Sequence, residues 1–169
     1  MRVRIVAVDG PGGAGKTTVA EALAAALGGA PVVHTDDFAS WDHPVDWWPR
    51  LREQVLEPLR RGQPVRFLPT AWDHEPPELV EVDAADVVIL EGVTSSREAF
   101  RPYLTYAVWI ETPRELRLRR GLERDGESAR PFWDRWMAAE DAYVAREMPA
   151  ERADIVVPGD EALPRKVAG

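Results

Sequence analysis

The sequence has no cysteine, no asparagine and only two lysines, Lys16 and Lys166, against nineteen arginines in 169 residues. Without cysteine the chain can form neither a disulfide nor a cysteine-ligated metal site. Without asparagine it lacks the Asn-Lys-x-Asp motif with which guanine-specific GTPases read the base. No apolar run approaches the ~20 residues that a membrane-spanning helix needs. We therefore expect a cytoplasmic protein that does not enter a membrane, and an N-terminus that leads straight into a strand predicts no signal peptide.

The charge balance argues against a nucleic-acid partner, because the formal net charge is −8 and the isoelectric point is about 5.0. A hydrophobic content of 45% and a charged content of 30% are ordinary for a globular protein. A chain of 169 residues is long enough to bury one sizeable core. We therefore predict a single domain over residues 1–169.

The most informative segment is VRIVAVDGPGGAGKT at residues 3–17, in which Gly10, Gly15, Lys16 and Thr17 satisfy the P-loop pattern G-x-x-x-x-G-K-[ST]. An apolar, β-branched strand precedes the pattern, and a helix rich in alanine and leucine follows it. The alternative is a glycine-rich turn that binds nothing. The strand–loop–helix order and the rarity of lysine in the chain favour the P-loop.

This pattern predicts a nucleotide phosphate site. Glycines let backbone N–H groups wrap around phosphates without Cβ clashes, and the following helix N-terminus adds a partial positive charge. Lys16 can bridge the β- and γ-phosphates, and the Thr17 hydroxyl can ligate Mg²⁺. The residues predicted to bind ATP here are Gly10, Gly12, Gly13, Ala14, Gly15, Lys16, Thr17 and Thr18.

Apolar runs alternate with helical patterns, which predicts an α/β fold with a parallel sheet covered on both faces. The predicted strands are 3–8, 31–34, 86–90, 106–110 and 154–157, and the predicted helices are 16–27, 47–61, 113–123 and 132–146. Thr112 is expected to cap the third helix in a capping box, Asp46 to cap the second, and Pro58 to kink the second. Residues 62–82, which contain four prolines, are expected to form an irregular excursion or a short hairpin.

Two carboxylates, Asp36 and Asp37, follow directly on the second predicted strand, at the sheet edge where the P-loop lies. Phosphoryl transfer to a hydroxyl needs one carboxylate to accept or orient the proton and another to help hold Mg²⁺. Asp36 is the candidate base and a candidate magnesium ligand. Asp37 could lie near the metal, or it could cap a helix. The alternative for both residues is that they only cap a turn.

Glu91 ends the apolar strand DVVILEG, which resembles a Walker B strand, and it is a candidate for the magnesium site. The alternative is a surface glutamate at the end of a buried strand. Arg97, a few residues later at the same edge, could contact the acceptor or lie on a solvated helix. His34 and His43 have no partner histidine at metal-ligand spacing, so no zinc site is predicted.

An arginine-rich stretch, residues 114–130, suggests a lid at about residues 120–131 that closes over the transferring phosphate. Arginine suits this role because its planar fork binds phosphate oxygens at two points. The alternative is a helix with a solvated basic face. We assign Arg114 and Arg117 to such a face, and Arg120, Arg124 and Arg130 to the lid.

Seven tryptophans are present. Trp72, and with less support Trp47, could form an aromatic wall for a planar ligand. Aromatic side chains more often fill the core. That is the expectation for Trp109, Trp133 and Trp136.

The order of the motifs VDGPGGAGKTT, TDDF, WDHP and DVVILEG, followed by the arginine-rich segment, resembles that of the uridine kinase-like P-loop kinases over residues 1–158. The resemblance implies a three-layer P-loop kinase fold that uses ATP and Mg²⁺ to phosphorylate a hydroxyl, which is a nucleoside 5′-hydroxyl in uridine kinases. By the same resemblance Asp36 matches the catalytic aspartate, and Asp42 matches the aspartate that binds ribose hydroxyls. Arg124 matches a lid arginine, and His43 in the WDHP motif joins the predicted acceptor site.

The chain departs from this family in the arm that contacts the base. The arm is short, and the expected Tyr-Asp pair stands as Thr70-Ala71 or, with a shift, as Trp72-Asp73; His74 is a candidate for the family histidine. The acceptor could therefore be another compound: pantothenate-like, a polyol or a hydroxylated secondary metabolite. A nucleoside monophosphate is disfavoured because residues 36–48 offer no basic group beyond His43 to hold its phosphate.

The sequence thus predicts an ATP-dependent phosphotransferase with a small-molecule hydroxyl acceptor, catalysed by Lys16, Asp36 and Arg124. A homo-oligomer is compatible with this interpretation. The alternative from another class is an ATP-binding protein or ATPase that is not a kinase.

Overall fold

A five-stranded parallel sheet forms the centre of the protein, in the strand order β2-β5-β1-β6-β7. The computed structural model describes residues 3–70, 76–83 and 85–160. The P-loop strand β1 lies in the middle of the sheet, between β5 and β6, because its side chains are apolar and can be buried on both faces. The strands are β1 (Arg4–Asp9), β2 (Val32–His34), β3 (Val65–Phe67), β4 (Val80–Val82), β5 (Val87–Glu91), β6 (Leu104–Glu111) and β7 (Ile155–Pro158). The predicted parallel five-stranded sheet is confirmed.

Helices flank this sheet. The buried apolar side chains form two clusters, which contain alternate residues of the strands. One cluster contains Ile5 and Leu90, and the other contains Val8 and Ile89. Neighbouring residues of a strand point to opposite faces, so the sheet is covered on both sides as predicted. The helices are α1 (Lys16–Ala26), α2 (Trp48–Leu51), α3 (Glu57–Arg60), α4 (Arg114–Asp125), α5 (Arg130–Glu147) and α6 (Pro149–Arg152), with a π-helical segment (Arg52–Leu56) between α2 and α3 and 3₁₀ turns at Thr35–Asp37, Glu98–Tyr103 and Glu127–Ala129. No helix in these described ranges is long and apolar enough to cross a membrane.

The predicted second helix is divided into α2, the π-helical segment and α3. The Glu57 N–H donates to the carbonyl of Arg52, five residues back, directly before Pro58. Because proline has no N–H to donate, the chain passes Pro58 with a widened turn. The prediction that Asp46 caps this helix is wrong, because Trp47 occupies the N-cap position. Asp46 instead lies 3.2 Å from His43 Nδ1.

The predicted capping box at Thr112 is also wrong. Helix α4 begins at Arg114 with Pro113 at its N-cap position and no side-chain cap. The Thr112 hydroxyl is used elsewhere, since it donates to the carbonyl of Ala14 in the P-loop at 2.8 Å. The Thr112 hydroxyl thus makes a long-range hydrogen bond instead of a helix cap. This bond connects the start of α4 with the P-loop.

The excursion at 62–82 contains a short antiparallel pair, β3 with β4, so the hairpin alternative is correct. Phe67 of β3 packs against Phe38, with ring centroids 4.7 Å apart. The Thr70 N–H donates to the carbonyl of Asp37 at 2.6 Å. The β3–β4 pair and the residues that follow β3 therefore pack against the segment that carries the predicted catalytic residue Asp36.

Candidate active site

A cavity of about 1030 Å³ opens at the carboxyl edge of the sheet, where α/β proteins place their ligands. It brings together residues that are far apart in sequence: the P-loop, the turn after β2, the end of β5 and the helices α4 and α5. The predicted site residues that line it are Gly12, Gly13, Gly15, Lys16, Thr17, Thr18, Asp36, Glu91, Arg120 and Arg124.

The P-loop has a conformation that only glycine tolerates at Gly13. Its φ is +74°, and a Cβ there would lie 2.5 Å from the backbone carbonyl oxygen of Arg117. Gly15 also has a positive φ, of +98°, but a Cβ there would meet no atom closer than 3.5 Å. Glycine at 13 is thus required by the close approach of α4, whereas glycine at 15 is required by the left-handed backbone alone.

Carbonyl groups of the P-loop are held by side chains around it. The Lys16 ammonium donates to Pro11 O at 2.8 Å, and the Arg120 guanidinium donates to Gly13 O at 3.1 Å. Together with the Thr112 bond to Ala14 O, these contacts hold three carbonyl groups of the loop. The loop is therefore ordered before any ligand arrives, which lowers the entropic cost of binding an anion.

Asp9, which the sequence analysis did not select, is a fully buried carboxylate at the end of β1. It accepts hydrogen bonds from the N–H groups of Gly10, Thr94 and Ser96 at 2.7–3.0 Å. The hydroxyls of Ser96 and Tyr143 donate to the same carboxylate at 2.6 and 2.8 Å. Burial raises the pKa of Asp9, and these hydrogen bonds oppose that rise. Asp9 thereby joins the P-loop, the loop after β5 and α5.

Asp36 lies in the 3₁₀ turn after β2 and is accessible to solvent within the cavity. Loss of surrounding water raises its pKa, while the positive charges of Lys16 and Arg124 lower it. Both cations are therefore close enough to act on Asp36 electrostatically, which brings the three predicted catalytic residues into one site.

Glu91 is buried at the end of β5 and pairs with His34, whose Nδ1 lies 2.6 Å from Glu91 Oε2. This hydrogen bond raises the pKa of His34. Gly92, next along the chain, has a φ of +136°, and a Cβ there would lie 2.0 Å from the Thr35 hydroxyl. The close packing of these two segments sets Glu91 beside Asp36.

The predicted lid arginines do not all face the cavity. Arg120 and Arg124 line it. Arg124 also pairs with Asp125 at 2.8 and 3.0 Å and lies over the Trp133 ring, 5.8 Å from its centroid. Arg130 instead pairs with Glu127 beside a shallow depression on the outer side of α4. The lid role of these residues stays a prediction.

Arg117 was assigned to a solvated face, and this assignment is wrong. Its side chain is buried, and its Nε donates to Thr112 O at 3.0 Å. Burial lowers the pKa of Arg117. Arg114 does lie at the surface, where it pairs with Asp141 at 2.6 Å.

Three tryptophans form an aromatic wall of the cavity. Trp41 contacts Trp136 and Trp133, with centroids 5.5 and 6.4 Å apart, and all three rings line the cavity. The expectation that Trp133 and Trp136 are core residues holds for their burial, but their edges also face the site. Trp47 is buried and donates to Pro44 O at 2.9 Å. Trp72, like Asp73 and His74, lies outside the described residues.

The remaining acceptor candidates do not line the cavity. Asp42 and His43 are exposed on the loop after Trp41. Arg97 is buried under that loop, and it donates to Val45 O at 2.6 Å. The guanidinium also packs over the rings of Trp48 and Phe100. In this arrangement Arg97 supports the loop that carries Trp41, and its contact with an acceptor stays a prediction.

The residues predicted to hold Mg²⁺ fit that ion. Thr17, Asp36 and Glu91 all line the cavity and offer a hydroxyl and two carboxylates, the oxygen ligands that Mg²⁺ prefers. Within residues 3–70, 76–83 and 85–160, no three histidine or acidic side chains cluster as a complete metal cage. These three oxygen donors suit Mg²⁺, which usually keeps several water ligands and binds phosphate oxygens as well as one or two carboxylates.

Glu140 and Tyr143, which were not predicted as functional residues, belong to a periodic pattern in the sequence of α5. Its buried side chains recur every three or four residues, as on one face of a helix. Among these largely aromatic residues are two acids, and a charge in an apolar stripe is the feature that would have drawn attention. The stripe consists of Trp133, Trp136, Met137, Glu140, Tyr143 and Glu147.

Comparison with solved structures shows kinase-like folds. A possible uridine kinase from Bacillus stearothermophilus superposes with a TM-score of 0.72 at 22% identity, over 92% of this chain and 89% of that chain. A structure that carries the name of a fructose transport system kinase, from Silicibacter sp. TM1040, gives 0.75 at 20% identity, over 92% and 90%. A sugar kinase from Janibacter sp. HTCC2649 gives 0.59 at 18% identity, over 95% and 87%. No curated protein matches the sequence significantly.

The family described as AAA domain matches residues 6–142, which is most of the chain. The matched range contains the P-loop, the aspartates after β2, Glu91 and the helices α4 and most of α5. The chain therefore belongs to this AAA-domain family of P-loop proteins, and its fold is that of the P-loop kinases.

Proposed function

We propose that the protein is a cytoplasmic, single-domain enzyme that transfers the γ-phosphate of ATP to a hydroxyl of a small molecule. One observation carries the proposal: Asp36 lines the same cavity as the P-loop and lies within the electrostatic reach of Lys16 and Arg124. A carboxylate that faces an aromatic-walled space beside the phosphate loop suits an organic hydroxyl, because the carboxylate can accept its proton and the wall can bind the rest of the molecule.

At the phosphate end the chain supplies positive charge and positioning. Lys16 would donate to the β- and γ-phosphates with the N–H groups that Pro11 O does not occupy, and Arg124 would stabilise charge on the transferring group. Thr17, Asp36 and Glu91 would hold Mg²⁺, which neutralises charge on the phosphate oxygens when bound. Arg124 pairs with Asp125, which also lines the cavity, and a bound phosphate would compete with this carboxylate for the guanidinium.

At the acceptor end Asp36 would orient the hydroxyl and accept its proton. A raised pKa makes the carboxylate a stronger base, and the positive charges of Lys16 and Arg124 oppose that rise. Asp42 and His43 would have to turn toward the cavity with their loop to contact the acceptor. Such loop closure is common in small-molecule kinases, and it excludes water from the transferring phosphate.

A nucleoside such as uridine or cytidine is the first candidate acceptor, on the resemblance of the motifs. A sugar or polyol is the second, because the wall of Trp41, Trp133 and Trp136 offers indole surface against which the apolar faces of a sugar ring can pack. The similarity to a sugar kinase structure agrees with this second candidate.

The test is ADP release with Mg-ATP across a panel of uridine, cytidine, other nucleosides, hexoses, polyols and pantothenate, with a control lacking acceptor. The proposal expects at least one hydroxylated compound to accelerate ADP release far above the control. ADP release that is rapid without an acceptor, and unchanged by all of them, would instead indicate an ATPase.

A further inference from the structure

One peptide group of the P-loop, between Pro11 and Gly12, is held at both of its polar ends. Its carbonyl oxygen accepts from the Lys16 ammonium at 2.8 Å. Its N–H donates to Glu140 Oε2 at 2.5 Å. In a trans peptide the carbonyl and the N–H point in opposite directions, and the described chain contains no cis peptide. Glu140 and Lys16 therefore lie on opposite sides of this peptide and fix its orientation together.

Glu140 reaches the loop from α5, 128 residues away, and is only 2% exposed. Its second oxygen, Oε1, has no hydrogen-bond partner among the described residues and lies 3.9 Å from Arg117 Nη1. A buried carboxylate that is incompletely paired lowers stability, and burial raises the pKa of Glu140. The cost of burying this oxygen offsets part of the stabilisation that the Gly12 hydrogen bond provides, so stability alone does not explain the glutamate.

The helix α5 is itself well anchored near this contact. Tyr143, one turn beyond Glu140, donates to the buried Asp9 at 2.8 Å. Trp136, one turn before it, donates to the Glu140 carboxylate and packs against Trp41. A carboxylate on a fixed helix can hold a mobile loop in a single orientation, because its own movement is restricted.

We propose that Glu140 is a positioning residue for Lys16. By binding the Gly12 N–H it turns the Pro11 carbonyl toward the ammonium, which is thereby held at the phosphate site before the nucleotide enters. Glu140 does not touch the nucleotide. The inference rests on the proposed function only in that the P-loop binds ATP.

Glu147 offers a matched control on the same helix. It is also buried, at 8% exposure, and also accepts a hydrogen bond from a backbone N–H, that of Glu98 at 2.7 Å. Its contact lies away from the P-loop. Each alanine variant removes one side-chain hydrogen bond to a backbone N–H, so both variants should lose stability. Only the change at Glu140 should alter the position of the Lys16 ammonium.

The experiment measures Mg-ATP and ADP dissociation constants for the wild type and for Glu140→Ala, Glu140→Gln and Glu147→Ala, with thermal unfolding of each. Glu140→Ala should weaken ATP binding about tenfold, which corresponds to about 1.4 kcal/mol. Glu140→Gln should stay near the wild type, since its amide oxygen still accepts from Gly12. Glu147→Ala should bind ATP normally. If Glu140→Ala does not fold, Glu140→Asp replaces it, because its side chain is too short to reach the N–H.

A double-mutant cycle separates positioning from general damage. In a Lys16→Ala background the change Glu140→Ala should weaken ATP binding no further, because no ammonium remains to be positioned. An equal loss in both backgrounds, or a loss matched by Glu147→Ala, would overturn the inference and leave the proposed function intact. Wild-type protein that binds neither ATP nor ADP would overturn both.

Discussion

The hydroxyl of Tyr143 donates to the buried carboxylate of Asp9 at 2.8 Å, across 134 residues of sequence. This bond joins the end of the central strand, where the P-loop begins, to the helix that forms the aromatic wall of the cavity. The P-loop and the helix of the aromatic wall are thus joined through one buried carboxylate.

Tyr143→Phe should destabilise the protein by about 1–3 kcal/mol, because it removes one donor from a buried carboxylate without changing the shape of the core. Chemical denaturation measures the loss. Tyr106→Phe is the control, since Tyr106 is 43% exposed. Equal stabilities of the two variants would show that the Asp9 contact contributes nothing.

Gly13→Ala should disrupt the phosphate loop more than the same change at another left-handed glycine. At Gly13 the new Cβ meets the Arg117 carbonyl oxygen at 2.5 Å, whereas at Gly28, with a φ of +78°, it meets no described atom within 4 Å. Gly28→Ala should therefore cost only about 1 kcal/mol of backbone strain and keep ATP binding. Gly13→Ala should lose ATP binding as well as stability. Calorimetric titration of both variants with ATP decides the matter, and normal affinity in Gly13→Ala would contradict the structure of the loop.

Asp36→Asn should reduce phosphotransfer roughly 10²- to 10⁴-fold while ATP binding is retained, because the amide cannot accept the proton of the acceptor hydroxyl. The rate is measured with the best acceptor at saturating ATP. Asp86→Asn, a change of an exposed aspartate at the opposite end of β5, should leave the rate unchanged. Near-normal turnover of Asp36→Asn would remove this residue as the base.

Glu140→Gln should be more stable than the wild type at neutral pH. Burial raises the folded-state pKa of Glu140 above the unfolded value of 4.5, against the lowering influence of Gly12, Lys16 and Arg117. The folded state therefore holds more protons, and this carboxyl makes the wild type less stable as the pH rises from about 4.5 through the folded pKa. The glutamine side chain does not ionise, so the variant does not lose stability in this way as the pH rises. Urea denaturation between pH 4 and 8 should show its advantage growing with pH, and a pH-independent difference would count against the burial effect.

Local pattern was enough to predict the sheet, the P-loop and the residues after β2 and β5. Those features depend on apolar runs and short motifs, and parallel strands bring their carboxyl ends to one edge by geometry alone. The contacts of Thr112, Arg117 and Glu140 depend instead on how α4 and α5 pack against the loop. A side chain such as Thr112 can serve a helix cap or a distant carbonyl, and only the tertiary structure decides between them.

The residues that were predicted to bind the acceptor show the same dependence on tertiary packing. Asp42 and His43 were assigned from a motif, and they lie outside the cavity wall, whereas Trp41 beside them lines it. Which neighbour in a loop faces a site depends on packing, here on Arg97 beneath the loop and on the aromatic residues of α5. Sequence spacing carries no information about that choice.

The central claim is that the γ-phosphate passes to a hydroxyl, and γ-³²P-labelled ATP tests it most directly. With the best acceptor from the panel, the label should appear in a phosphate monoester of the acceptor in step with ADP formation. The label should stay in ATP with Lys16→Ala, which loses the ammonium beside the phosphates while keeping its fold by circular dichroism. Label recovered only as inorganic phosphate, whatever acceptor is present, would contradict the account and identify the protein as an ATPase.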